Sequence, residues 1–378
     1  MKKIYFDNAA STKLDEKIFE SMKPYLFKIY GNSHGQNSSG FDAYRAIEKA
    51  RDKIAKLLGV KSSKIIFNGN GVQSNNKIID GMLKKNEKVG KHILISSIEH
   101  RGMILKANRL KAEGYKVEFV NVNNKGAIDV EDLKKKLRDD TAVVSVMHVN
   151  NDTGMIQPIE EIVRVVKKNS KALVHSDGVQ AMPYHTVDIP KLGVDVYNIA
   201  THKFHGPKGA SVIYAKNGIM NREDVEIGTT DNASIIGMAK SIEINVSSKG
   251  SNIQRSKDIS EFMIDKVLED IEDVKLVGVK EDKVPNITSF VFKGVHRDRL
   301  ILALDEAGFV VSAGAAWAKG VNVSHVLKTM GIDKEYIDGS LRISLGRFNT
   351  MEEMKRFVKM LPKVVNNLRR EYGSKMEL

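Results

Sequence analysis

Short apolar runs alternate with amphipathic stretches through the first two thirds of the chain. Ile65-Ile66-Phe67, His92-Ile93-Leu94-Ile95, Lys116-Val117-Glu118-Phe119-Val120, Ala142-Val143-Val144-Ser145-Val146, Ala172-Leu173-Val174-His175, Val194-Asp195-Val196-Tyr197 and Ala210-Ser211-Val212-Ile213-Tyr214 read as strands. Between them helical periodicity predicts helices over 40–58, 72–85, 100–113, 130–138 and 159–169, the last opened by Pro158. Apolar strands separated by helices are what a mostly parallel sheet requires. The pattern therefore predicts a doubly wound α/β fold.

After about residue 250 the pattern changes: an amphipathic helix over 256–270, strands near 275–279 and 287–293, a helix over 297–307 and a C-terminal helix over 351–372. Helices on a small antiparallel sheet fit this stretch. The expected division is a large α/β domain over 15–250 and a smaller α+β domain built from 1–14 plus 251–378. No internal repeat is visible.

At 378 residues, 42% hydrophobic and 28% charged, with 7 Pro and no low-complexity run, the chain can bury a continuous core. No stretch approaches the ~20 apolar residues of a membrane span, and Met1-Lys2-Lys3 leads straight to Asp7 and Asn8. A cytoplasmic protein that does not enter the membrane is expected. The net charge of +13 favours anionic partners such as RNA, phosphates or acidic lipids. Its lysines are scattered along helices without an RNA-binding motif, so a solvated basic surface is the first reading and RNA a weakly supported partner. The absence of cysteine changes the picture most. It removes disulfides, thiolate metal sites, iron–sulfur ligation by this chain and any catalytic or carrier thiol. No metal site is expected.

Five segments could carry chemistry. His175-Ser176-Asp177-Gly178-Val179-Gln180 follows an apolar strand, where a carboxylate could pair with a protonated ring nitrogen; Asp177 as a helix cap is the competing reading. Ala200-Thr201-His202-Lys203-Phe204-His205-Gly206-Pro207-Lys208-Gly209 places a lysine between a strand end and a Gly/Pro turn, where partial desolvation lowers its pKa and suits Schiff-base formation. Alone, Lys203 reads as a surface lysine; with Asp177 one strand earlier, the pair has the spacing often found in pyridoxal-phosphate (PLP) enzymes. Asn68-Gly69-Asn70-Gly71-Val72-Gln73 joins strand to helix and could cradle a phosphate, or be an ordinary loop. His100 in Ser97-Ile98-Glu99-His100 could stack on a planar cofactor or cap a helix. Arg342 in Leu341-Arg342-Ile343-Ser344-Leu345-Gly346-Arg347 could fork a carboxylate or make a structural ion pair.

Six motifs occur in one order: Tyr5-Phe6-Asp7-Asn8-Ala9-Ala10-Ser11-Thr12, Ile98-Glu99-His100, Val149-Asn150-Asn151-Asp152-Thr153-Gly154 with Gln157-Pro158, Asp177-Gly178-Val179-Gln180, His202-Lys203-Phe204-His205-Gly206-Pro207-Lys208-Gly209, and Arg342-Ile343-Ser344-Leu345-Gly346-Arg347-Phe348. Together they resemble cysteine desulfurases of the NifS/IscS kind, within the class V aminotransferase superfamily of fold type I PLP enzymes. The resemblance implies a covalent link from Lys203 to PLP, Asp177 on the pyridine nitrogen, Gln180 on the ring oxygen and His100 stacked on the ring. It implies that His202 and the Gly71-Val72 turn hold the phosphate, that Asn8 and Asn151 reach substrate or cofactor, and that Arg342 clamps the carboxylate of a small amino-acid substrate. It further implies a homodimer with shared active sites, Thr229 of Gly228-Thr229-Thr230-Asp231 being lent by the neighbouring subunit.

The departures are as specific. Where the family carries its persulfide-forming Cys, this chain reads Val311-Ser312-Ala313-Gly314-Ala315-Ala316-Trp317, and Trp317 is its only Trp. The family's Gly-rich loop with a second Arg is missing between Met220 and Thr229. Asn37 stands for a family His, Val72 for a phosphate-loop Thr and Ala200 for a phosphate-binding Ser. The expectation is a PLP-dependent, desulfurase-like enzyme of C–S lyase type, with Trp317 walling off the site or selecting a substrate group. Desulfuration onto an external sulfur acceptor and a catalytically degenerate scaffold are the alternatives.

Overall fold

The computed structural model describes residues 3–314 and 324–376. In chain order the strands are β1 (Ile4–Tyr5), β2 (Ile65–Asn68), β3 (His92–Ser96), β4 (Lys116–Val120), β5 (Thr141–Ser145), β6 (Leu173–Asp177), β7 (Val196–Ala200), β8 (Ser211–Ala215), β9 (Val274–Leu276), β10 (Ile287–Phe292), β11 (Phe309–Val310) and β12 (Ser340–Ser344). β2 to β8 form one seven-stranded sheet in the order β2-β8-β7-β6-β5-β3-β4. β8 alone runs antiparallel to its neighbours β2 and β7. Its central strands are buried along their length, as strands covered by helices on both faces must be. This is the mostly parallel, doubly wound sheet that the alternation predicts.

Two apolar cores sandwich this sheet. One gathers Ile54, Leu94, Val144, Val174, Tyr197 and Ile242 on one face, and the other gathers Ile78, Met82, Ile93, Ile95 and Ile213 on the opposite face. A third core lies apart, where β12-β10-β9 and the β1–β11 pair pack with helices Arg297–Glu306 and Met351–Met376. Residues 4–6 reach this core and carry the chain back to the large sheet.

Two elements differ from the sequence reading. The helix expected over 256–270 begins at Asn232 and runs 39 residues to Asp270. Asp231 caps it by accepting from Ser234 N at 3.0 Å. Its middle, Ser247-Ser248-Lys249-Gly250-Ser251, lacks an apolar stripe, and Ser247 and Ser248 turn their hydroxyls to Ile244 O. The two ends are anchored in different cores, Ile242 in one and Met263, Ile264 and Val267 in another, so tertiary packing holds the helix through the polar stretch. The strand expected at 194–197 lies at Val196–Ala200. Asp195 stays outside it because its carboxylate accepts from Val174 N at 2.8 Å and pairs with Lys167 and Lys216. The shift carries β7 to within three residues of Lys203.

Candidate active site

The carboxyl ends of the parallel strands converge on one cavity of about 480 Å³. Its walls include Gly71 and Val72 after β2, His100 after β3, Met147 and Asn151 after β5, Asp177 and Gln180 from β6 onward, and His202 and Lys203 after β7. Gly314 and Arg342 close it from the smaller sheet, and Ala9 and Ala10 from the N-terminal segment.

Lys203 ends a single 3-10 turn, Thr201–Lys203, directly after β7. Its Nζ donates to Ala9 O at 2.7 Å and Ala10 O at 2.8 Å. Burial, reinforced by the Arg342 guanidinium, pulls its pKa down to about 8 from the usual lysine range. Asp177, at the last position of β6, lies in register with Asn198 of β7. Its Oδ2 accepts from Asn75 Nδ2 at 2.8 Å and its Oδ1 from Val179 N at 2.9 Å. Gln180 donates its amide to Ala9 O at 2.9 Å.

Helix Gly71–Lys85 starts at the cavity wall, capped by Asn70, which accepts from Gln73 N. A Cβ on Gly71 would stand 3.4 Å from Val179 Cγ2 and occupy the turn where the first helical N–H groups lie. His202 is held neutral, its pKa pulled to about 3 by burial and by Lys203, Lys208 and His100. His100 also has a lowered pKa, from protein crowding and the Lys203 charge against the opposing pull of Asp177. Its Nδ1 accepts from Gly102 N at 3.1 Å, which leaves the ring face toward the cavity mouth.

Arg342, on β12, is 5% exposed. Its Nη2 donates to Asp7 Oδ1 at 2.8 Å and its Nη1 to Asn151 O at 2.9 Å, while Nε is buried without a partner. The residues fit PLP. A nucleophilic amine, a buried carboxylate for a ring nitrogen, an open imidazole face and a helix N-terminus face one space, and the buried Asn75 Oδ1 is a further unpartnered polar atom beside Asp177.

Some expected residues lie elsewhere. Asn8 is turned away from the cavity: its amide donates to Ser344 O at 2.9 Å and Asn349 Oδ1 at 3.1 Å, in space that exists because Gly346 has no Cβ. It lines a separate recess with Asp15, His205 and Arg347. Thr229 is exposed and lines another recess, with Asn68 and Asp231, outside the cavity of its own chain. Trp317 lies outside the described residues. Asn37 is a helix cap, accepting from Gly40 N at 2.9 Å. Asn75, Asp7 and Asp152 were not singled out from sequence; Asn75 sits one helical turn beyond Gly71, and that spacing is the signal that could have found it. Among the described residues no cluster of His, Asp or Glu is placed to hold a metal ion, and no helix is long and apolar enough to cross a membrane.

Residues 4–224 and 220–357 match the aminotransferase class-V family. The chain is 35% identical to a cysteine desulfurase IscS of Dictyoglomus turgidum, over 97% of this chain and 96% of that one. It is equally 35% identical to cysteine desulfurase IscS 1 of Archaeoglobus fulgidus, over 97% of each. A solved NifS-like protein superposes with a TM-score of 0.90 at 32% identity, covering 96% of this chain and 99% of that one.

Proposed function

Because this chain belongs to the class V aminotransferase family, whose members related to it are PLP-dependent, we propose that it acts on cysteine or a related small amino acid by C–S elimination. What supports this reading is the meeting of Lys203, Asp177 and Arg342 at one cavity in a chain of 378 residues without a cysteine. A protein persulfide needs a thiol, and elimination does not. Asp177, held by Asn75 and Val179, would face the ring nitrogen of PLP; Gly71, Val72 and His202 would hold its phosphate, His100 its ring face and Gln180 its ring oxygen. When bound, PLP supplies an electron sink for negative charge on the substrate Cα.

The chain's own groups do the rest. Arg342 binds the substrate carboxylate and orients the Cα–H bond, and Asn151 lines the same wall. The Lys203 amine, near 8, can take the Cα proton close to neutral pH. The C–H electron pair becomes a Cα–Cβ double bond and the Cβ–S pair leaves with sulfur. Water then completes the balance, so that cysteine and water give pyruvate, ammonia and hydrogen sulfide.

The names of the relatives favour a second reading, desulfuration onto an external thiol, with alanine as the carbon product. A homodimer is part of the proposal. Phe27, Tyr30, Phe41 and Ile227 are exposed apolar side chains on surface elements, and Thr229 lies beside the last of these without reaching its own cavity. The deciding experiment reconstitutes the protein with PLP, adds L-cysteine with and without a small-molecule thiol, and measures pyruvate, alanine and sulfide, with Lys203→Ala as control. Pyruvate with sulfide supports elimination; alanine with thiol-dependent sulfur release replaces it by desulfuration; no product from either discards both.

A further inference from the structure

The Arg342 guanidinium is approached by two carboxylates. Asp7 Oδ1 accepts from Nη2 at 2.8 Å, and Asp152 Oδ1 lies 3.6 Å from Nη1. Arg342 and Asn151 line the cavity, whereas neither Asp7 nor Asp152 is among its described lining residues. Both acids therefore approach from the protein side of the wall. A guanidinium carries five N–H donors in a rigid plane. With Asp7 and Asn151 O each holding one, the buried and unpartnered Nε–H stays available together with the remaining Nη hydrogens.

The two acids differ in how firmly they are held. Asp152 is 4% exposed at its side chain, accepts from Ser324 Oγ at 2.8 Å and also holds the Asn151 amide at 2.9 Å. Asp7 comes from the N-terminal segment, bridged to Ser344 of β12, and its side chain is 18% exposed. Two and three residues further on, the carbonyls of Ala9 and Ala10 receive Lys203 Nζ. One short segment thus fixes both cations of the cavity.

We infer that Asp7, backed by Asp152, is a positioning residue that locks the Arg342 fork in the orientation needed to receive a substrate carboxylate. The inference rests on the amino-acid reading of the cavity. An arginine side chain free to rotate would lose that order on binding and weaken recognition, and an anchor on its far edge removes this cost beforehand. Two acids behind the guanidinium also offset the desolvation of a nearly buried cation.

The test uses the PLP-loaded full chain and follows its visible absorption during titration with L-alanine and with L-alaninamide, which lacks the carboxylate. Asp7→Ala should weaken L-alanine binding about tenfold and leave alaninamide almost unchanged, because the lost contact acts only through the carboxylate clamp. Asp7→Asn preserves the side-chain shape and should show the same selectivity in smaller degree, while Asp7→Glu should recover part of the alanine affinity. Variants that weaken both ligands equally, or neither, overturn the anchor while the amino-acid site stands. A wild-type protein whose absorption answers to neither ligand overturns both readings.

Discussion

Glu99 shows how much one buried side chain can carry. It precedes His100, is fully buried, and its Oε1 accepts from Ser96 Oγ at 2.8 Å and Met147 N at 2.6 Å, so it ties the end of β3 to the segment after β5. Its Oε2 is buried without a partner. Desolvation, with the nearby Asp177 charge, pushes its pKa up to about 8. The folded state therefore keeps a proton that the unfolded chain releases above about pH 4.3. Stability contributed by this group is present at acid pH and is lost as the pH climbs toward 8, levelling beyond. Glu99→Gln mimics the protonated carboxyl and should flatten this part of the profile, gaining on the order of a few kcal/mol over the wild type near pH 8. Urea unfolding of both proteins from pH 5 to 8.5 checks it; parallel profiles would show that the carboxyl is ionised in the fold.

At the scale of elements, the long helix Asn232–Asp270 links the cores of the large and small sheets through a stretch with no apolar stripe. Gly250 sits in that stretch, and a Cβ added to it would meet nothing within 4 Å. Gly250→Ala should raise stability by about 1 kcal/mol, since glycine in a helix interior costs roughly that relative to alanine. Thermal unfolding measures the gain, and a loss of stability instead would mean that residue 250 is not in continuous helix in solution. The active-site turn was more legible. Gly69, Asn70 and Gly71 announce a strand-to-helix turn, and the structure starts helix Gly71–Lys85 there with Asn70 as its cap. Asn8 was misread, because its motif position says nothing of which way the amide turns; that was decided by the carbonyl of Ser344 and the space left by Gly346.

Across the whole molecule, the cavity depends on supports distant in sequence. Arg51, nearly fully buried, donates to both oxygens of Glu226 at 2.7 and 2.8 Å and to Ile65 O at 2.7 Å, while Glu226 also accepts from Phe67 N. This pair fastens helix Ser38–Leu57 and residue 226 to β2, the strand that delivers the Gly71 turn. Glu226→Ala strands the Arg51 charge and should cost about 3 kcal/mol or more. The denaturation midpoint should fall accordingly, and PLP should dissociate more readily as β2 loosens. An unchanged midpoint would show that the pair is dispensable.

The order of apolar strands and helices, being local and periodic, was determined by the sequence alone, and with it the doubly wound sheet and the placing of Asp177, Lys203 and His100 at strand ends. The missing thiol is likewise a property of composition. What only the tertiary structure decided are the contacts between segments far apart in the chain. Asp7 meets Arg342 across 335 positions, Asn75 meets Asp177 across 102, and Ala9 O meets Lys203 Nζ across 194. Such pairs follow no period, because what brings them together is the closing of one sheet and one core upon another.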